Sequence, residues 1–360
     1  MFCRLRGFVA LLIVLVSVNA GWAATGTEGA SFLDIPVGGA PAALGSAYTA
    51  QATDVYAPVW NPAGLGFLSA AEFTGTHLSY LGPVYYEHAG FVVPIGKDHE
   101  RGTAPAGLGA SAQYLGTGNL DARDVLGNPA GSFTSSFVAY ALAYGEKIGD
   151  RLSIGASAKL ITEKIADATA SAYAADAGLL YKPTSKLSLG AVVANVGQQI
   201  KFVNESDPLP QAEHLGATYQ LNPSWDISIE GVYRKAGLTS GGLGVEWRTG
   251  EYITFRGGYN TARTKELGAA AGTTAGIGLF FWGQEFSYGW VPAGDLGQTH
   301  YFSIVFRLST AARPEKPHLK RPEDNEFEDM DLKTEDSGDH DKIFDFMKDD
   351  EKDHETPTME

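Results

Sequence analysis

Between residues 71 and 308 apolar and polar positions alternate with a period of two, in about fourteen runs separated by Gly, Asn, Asp and Pro. The runs fall at 71–80, 84–94, 106–115, 133–146, 151–163, 170–181, 186–196, 212–221, 225–234, 241–248, 251–259, 272–282, 285–291 and 299–308. In 225–234 one face carries Trp225, Ile227, Ile229, Gly231 and Tyr233, and the other Asp226, Ser228, Glu230, Val232 and Arg234. In 251–259, Ile253, Phe255 and Tyr259 oppose Thr254, Arg256 and Gly258. In 151–163, Leu152, Ile154, Ala156, Ala158 and Leu160 oppose Ser153, Ser157, Lys159 and Glu163. Such strands have one apolar face each, but alternation leaves open whether that face meets lipid or a buried core.

The connections bear on that choice. Short turns follow the fourth, sixth, eighth, tenth and twelfth runs, at Gly149-Asp150, Lys182 to Ser185, Asn222 to Ser224, Thr249-Gly250 and Gly283-Gln284. Long loops follow the third, seventh and eleventh, at Gly116 to Ser132, Gly197 to Gln211 and Asn260 to Ala271. Short turns on one rim and long loops on the other are the asymmetry of outer-membrane barrels. Lys97 to Pro105 is the misfit, long where a short turn is expected. The pattern predicts an all-β protein, a closed antiparallel transmembrane β-barrel of about fourteen strands. An even strand count places both termini on the short-turn, periplasmic side of the bacterial outer membrane. Phe302, Ile304, Phe306 and Leu308 then face lipid on the closing strand, and Tyr301, Ser303 and Arg307 face inward. The same phase turns Lys159, Glu163, Asp226, Glu230, Arg234, Glu246, Arg248, Arg256 and Arg307 into the lumen. Opposite charges at that density suggest a salt-bridged interior, or a filter for ions and solutes. Gly242 to Gly244 and Gly276 to Gly278 lie inside strands and read as relief of crowding.

The chain ends follow different rules. Arg4 and Arg6 precede an apolar run from Phe8 to Val18, and small residues follow at Gly21, Ala23 and Ala24. This reads as a signal peptide over 1–24, too short to span a bilayer, which takes ~20 apolar residues. The only cysteine, Cys3, lies ahead of that run, so no disulfide framework is expected in the mature chain. Residues 310–360 carry 18 acidic and 8 basic residues, so −10 of the total net charge of −15 sits there. That composition predicts an acidic, disordered periplasmic tail. Its small apolar clusters, Phe327 with Met330 and Ile343, Phe344, Phe346 with Met347, could dock a periplasmic partner. The acidic balance excludes a general nucleic-acid binder.

Residues 25–70 break the strand pattern. They contain Gly38-Gly39-Ala40-Pro41, a helix-like stretch over 42–52, and a run through Asp54, Tyr56, Trp60, Asn61, Pro62, Ala63 and Gly64. About forty residues ahead of a barrel at 71–309 could cover a rim or plug the lumen. The seven named residues are candidates for holding that plug or lining a ligand pocket.

Ser31-Phe32-Leu33-Asp34-Ile35-Pro36-Val37-Gly38, Ala43-Leu44-Gly45-Ser46-Ala47-Tyr48-Thr49-Ala50, Asp54 and Trp60-Asn61-Pro62-Ala63-Gly64-Leu65 resemble the N-terminal signature of the PorV/PorQ family of FadL-like outer-membrane barrels. The resemblance spans roughly 29–309, is densest over 31–66 and stops before the tail. It implies a fourteen-stranded barrel with its N-terminal segment folded into the lumen. It also implies one of two tasks: passage of hydrophobic compounds such as long-chain fatty acids, or holding exported protein in a type IX-like secretion pathway. Expected partners are outer-membrane lipid and either a hydrophobic small molecule or an exported protein. Catalysis is not expected. His77, His88, His99, His214 and His300 are scattered, and G-x-S-x-G, Walker and H-E-x-x-H motifs are missing, so neither cofactor nor metal is expected.

Overall fold

The computed structural model describes residues 28–80, 82–96, 105–237 and 239–308. The signal peptide, the acidic tail and most of the 97–105 loop lie outside them. The chain first runs through short helical turns at Ser31–Asp34, Gly39–Ala43, Ala57–Trp60 and Pro62–Phe67. Strands β1 (Glu72–Ser79), β2 (Val84–Ile95) and β3 (Ala106–Thr117) follow. A hairpin, β4 (Leu120–Arg123) with β5 (Pro129–Phe133), projects from the long-loop rim. The wall resumes with β6 (Ser135–Ile148), β7 (Leu152–Ile165), β8 (Ala168–Tyr181) and β9 (Leu187–Gly197). A second hairpin, β10 (Ile200–Phe202) with β11 (Glu205–Asp207), precedes β12 (Ala212–Asn222), β13 (Trp225–Arg234) and β14 (Thr239–Thr249). The wall ends with β15 (Ile253–Asn260), β16 (Thr273–Phe281), β17 (Gln284–Pro292) and β18 (Gln298–Arg307).

Fourteen strands, all but the two hairpins, form one closed barrel in which sequence neighbours pair antiparallel and β18 returns to β1. Closure leaves no unpaired edge. The closing register sets Glu72 opposite Arg307 inside and Phe73 opposite Phe306 outside, where the two rings stack at 6.4 Å. The outer surface has the character of a wall in lipid. Leu142 is 70% exposed, Leu215 68% and Phe302 52%. Aromatic pairs flank this band, Trp225 with Trp247 near the short turns and Tyr85 with Tyr114 near the long loops. Among the described residues no helix is long and apolar enough to cross a membrane; strands with an apolar outer face meet that need.

Residues 29–70 occupy the lumen. Gly29 N–H bonds Pro208 O beside the β10–β11 hairpin, at the long-loop rim. At the other end Phe67 lies under the ammonium groups of Lys147 and Lys182, beside the short turns. The segment therefore traverses the barrel before β1 begins. The two barrel-terminal strands do meet on the short-turn rim, where Leu308 N–H bonds Ala71 O. The first described residues, by contrast, lie at the opposite rim, while both ends of the chain lie outside the described residues. The strand count locates the ends of the wall and says nothing of a segment that crosses inside it.

One correction concerns local structure. The helix-like stretch over 42–52 is helical only to Ala43. Gly45 and Ser46 take φ of 62° and 63°, and the chain continues as turns. The reason is contact with the wall: a Cβ on Gly45 would lie 2.7 Å from Leu243 O and from Tyr259 N. The long loops hold the two hairpins and the short helical turns of 261–272.

Backbone-to-backbone contact also explains many glycines inside strands. A Cβ at Gly155 would fall 2.3 Å from Pro62 C, at Gly258 2.2 Å from Gly45 N, at Gly289 2.7 Å from Gly39 O and at Gly190 2.6 Å from Thr49 O. Inward-facing glycines thus trace the line along which the plug lies on the wall. The same holds within the plug, where a Cβ on Gly64 would stand 1.5 Å from Ala52 O.

Candidate functional site

A segment crossing a closed barrel must have its backbone polar groups satisfied away from water. The wall supplies the partners. Gly39 N–H bonds Ser303 Oγ at 2.8 Å, and Gly45 N–H bonds Thr274 Oγ1 at 3.1 Å. Ser153 Oγ donates to Ala63 O at 2.6 Å. Asn61, fully buried, donates through Nδ2 to Thr49 O at 2.9 Å and Leu179 O at 3.2 Å. Its Oδ1 accepts the N–H of Ala63, opening the turn that contains Pro62, Ala63 and Gly64. Tyr56 is buried, and its hydroxyl accepts Thr74 Oγ1 at 3.3 Å. The Asp54 carboxylate accepts Tyr48 Oη at 2.5 Å and Tyr56 N–H at 3.0 Å.

The nine inward charges fall into two groups. Near the short turns Arg256 bonds Glu246 through Nε at 2.9 Å and Glu285 through Nη2 at 2.8 Å. Arg248 pairs with Asp226 at 2.8 Å and with Glu246, and Arg307 pairs with Glu72 at 2.9 Å. Higher in the barrel Lys159 meets Asp176 at 2.7 Å and Asn195 Oδ1 at 2.8 Å. Glu163 is buried and takes the backbone of Ala30. Arg234 pairs with Asp34 of the plug. Glu230 has the most partners: it accepts Tyr48 N at 2.8 Å, Thr49 N at 2.9 Å and Thr49 Oγ1 at 2.7 Å, and faces His214 Nδ1 at 2.9 Å. The charges therefore pin wall to wall at Arg248, Arg256, Arg307 and Lys159, and plug to wall at Glu163, Glu230 and Arg234.

Above the plug a cavity of about 350 Å³ remains in the long-loop half. Its floor and one side are plug residues: Leu33, Ile35, Val37, Val59 and Trp60. Trp60 is held there by its indole N–H, which bonds Val37 O at 3.0 Å, and by edge contact with Tyr48. Lys159, Glu230, Arg234 and His214 form a polar side, and Tyr80, Val291, Leu296 and Tyr301 rise toward the rim. Of the seven plug residues singled out in the sequence, Trp60 lines this cavity; Asp54, Tyr56, Asn61, Pro62, Ala63 and Gly64 lie elsewhere and hold the plug. Of the nine inward charges, Lys159, Glu230 and Arg234 line it.

Sequence reasoning missed Asp176, Glu72, Glu285 and His214, although each sits on the inward phase of its strand. It also missed Asp34 and Arg263, which lie outside any strand and carry no periodic signal. No cluster of three or more His, Cys, Asp or Glu placed to hold a metal occurs among the described residues.

One plug carboxyl is poised to titrate. Burial pushes Asp54 up to about 7, and the nearby Glu72 carboxylate adds to the effect, while bonds from Tyr48 and Tyr56 oppose it. A group whose folded pKa lies above its unfolded value stabilises fully below the unfolded value. That stability is lost as pH rises through the folded value. The folded barrel should therefore lose on the order of 1–3 kcal/mol between about pH 4 and pH 7 through this group. Asp54→Asn should flatten the change. The readout is the temperature at which the barrel converts to its unfolded gel mobility, measured at pH 5 and pH 8.

No protein-family model matches the chain, and no curated protein matches it. Among solved structures the chain is similar to CymD, a monoaromatic hydrocarbon channel, at 14% identity over 75% of this chain and 96% of that one, with a TM-score of 0.50. It is equally similar to a deletion variant of TodX, also a monoaromatic hydrocarbon channel, at 14% identity over 74% and 96% and a TM-score of 0.50. A Pseudomonas aeruginosa FadL homologue aligns at 11% identity over 74% and 97%, with a TM-score of 0.48. At these identities the likeness is one of architecture: the chain shares the β-barrel fold of CymD and TodX.

Proposed function

We propose that the protein is an outer-membrane barrel that passes small hydrophobic compounds from the long-loop side into its lumen, with the short turns in the periplasm. The observation that carries this reading is the cavity over the plug, walled by Leu33, Ile35, Val37, Val59 and Trp60. A site of this size, with an apolar floor and a polar side, suits one small ligand. The charged lower lumen and the plug seated in it argue against an open diffusion pore. The fold it shares with hydrocarbon channels agrees with this role.

The test is binding and uptake of a small hydrophobic compound by the full chain, purified in detergent and reconstituted in vesicles. Trp60→Ala, which removes the ring from the cavity floor, is expected to weaken binding about tenfold, or about 1.4 kcal/mol. A folded barrel that binds no hydrophobic compound would overturn the reading. The finer assignment to the PorV/PorQ type rests on residues 31–66; the alternative task is protein secretion, in which the acidic tail docks a partner. Stoichiometric co-purification of an exported protein, lost when residues 310–360 are removed, would favour that alternative.

A further inference from the structure

One face of the outer wall, around the closing seam, departs from the apolar pattern of the rest. His77 on β1 and Glu87 on β2 stand opposite each other with their side chains outward, and His77 Nδ1 lies 2.7 Å from Glu87 Oε1. The two side chains are 51% and 46% exposed. Neighbouring positions hold further polar groups and flat rings. Tyr288 Oη meets His300 Nδ1 at 2.8 Å with the two rings stacked, and the Trp290 indole N–H bonds Gln298 Oε1. Tyr114, beside Glu87, packs on Tyr85 at 5.9 Å. Toward the periplasmic end the same face turns small and apolar. Gly75, Ala89 and Ala112 lie side by side on β1, β2 and β3, with Ile304 of β18 next to them.

A charged pair on a lipid-facing wall is costly at the bilayer centre and costs little at the interface. Strand length decides which applies. β6, β7 and β8 have 14 residues each, whereas β1 has 8, β17 has 9 and β18 has 10. At ~3.3 Å a residue and a tilt of ~40°, the first three climb about 35 Å and β1 about 20 Å, less than the ~25 Å apolar band of such barrels. The connections above the seam are short: Tyr80 N–H closes on Val84 O, and Ala293 N–H on Gly297 O. A bilayer meeting so low a wall thins there. Thinning brings the outer headgroups down to the level of His77, Glu87 and His300.

Charge selects the headgroup. Strands β16 to β18 and β1 to β3 contain one basic residue, Arg307, and it faces inward on Glu72. The outer face of these strands therefore offers a phosphate no Lys or Arg, and Glu87 repels it. An ionised carboxylate is an acceptor with several lone pairs, and Glu87 has one partner, His77, among the described residues. Its remaining capacity suits hydroxyl donors. A sugar brings several hydroxyls and a flat face for the rings around them.

We propose that this seam face binds an outer-leaflet lipid with an uncharged sugar headgroup, its hydroxyls on Glu87 and His77 and one acyl chain along Gly75, Ala89 and Ala112. The site takes the long-loop rim as the outer one and is otherwise independent of what the lumen carries.

The experiment is native mass spectrometry of the full chain in mild detergent, mixed with equal amounts of diglucosyl-dipalmitoylglycerol and dipalmitoylphosphatidylglycerol, which share their acyl chains. The wild type should retain the glycolipid over the phospholipid by about fivefold. Glu87→Leu, whose side chain suits a wall in lipid, should abolish that preference while keeping the heat-dependent gel mobility of a folded barrel. Thr162→Leu, on the outer face of β7, should leave the preference whole. Equal retention of the two lipids by the wild type, a measurement that needs no variant, would overturn the proposal. A preference that survives in Glu87→Leu would do the same. So would displacement of the glycolipid by an equal concentration of free maltose, since the wall would then hold no acyl chain. None of these outcomes bears on the cavity, whose reading stands or falls on the binding of hydrophobic compounds.

Discussion

Glu230→Ala should loosen the plug and raise the conductance of the barrel in a planar bilayer. One carboxylate accepts two backbone N–H groups and a hydroxyl from residues 48 and 49, and its fourth partner is the His214 ring. Alanine leaves those donors buried without acceptors. Removing one side of a buried charge contact costs roughly 3–5 kcal/mol, because what remains is unpaired. The wall strand itself should survive, since its ladder to β12 and β14 does not use the side chain. The variant should therefore stay a barrel while its plug gains freedom. Glu230→Gln keeps an acceptor but points an amide at donors, so an intermediate conductance is expected. Wild-type conductance and stability in Glu230→Ala would mean that the glycine-lined contacts alone hold the plug.

The second large effect is expected at Arg256, which bridges Glu246 and Glu285 and also reaches Ser287 Oγ at 3.2 Å. Arg256→Met leaves two carboxylates facing each other across β14, β15 and β17 with half their compensation gone. A loss of about 3–5 kcal/mol is expected, read as a lower urea midpoint for unfolding from phospholipid vesicles. Adding Glu285→Gln should restore a large part of it, since the excess negative charge is then removed. The cycle built from the two single variants and the double should give a coupling of at least about 1 kcal/mol. Additivity within about 0.3–0.5 kcal/mol would mean that the network is a set of independent neighbours.

How far the sequence reached differs between wall and plug, for one physical reason. A strand writes its facing into every second residue, so Trp225, Ile229 and Glu230 announced their sides, and all fourteen wall strands were recoverable to within a few residues. Asp176, Glu72 and Glu285 were equally legible in phase. The plug has no period. Its conformation is dictated by the surfaces it lies on, which is why the helical preference of 42–52 yielded to the wall at Gly45. Asp34 and Arg263 meet the cavity through turns whose direction only the assembled barrel determines. The partnership of Glu230 with Tyr48 and Thr49 was out of reach for the same reason: the facing was visible, the occupant of the lumen was not.

The glycine-lined contact between plug and wall sets an order of assembly. Residues 62–66 rest on β6, β7 and β8, near the middle of the chain, and can settle once that part of the wall exists. Residues 39–45 wait for β14 to β18, with Gly39 bonded to Ser303 across 264 positions and Gly45 to Thr274 across 229. Contacts of such separation form late, after most of the chain entropy has been given up. The earliest-made segment of the barrel is thus completed last, and its seating coincides with the meeting of β1 and β18.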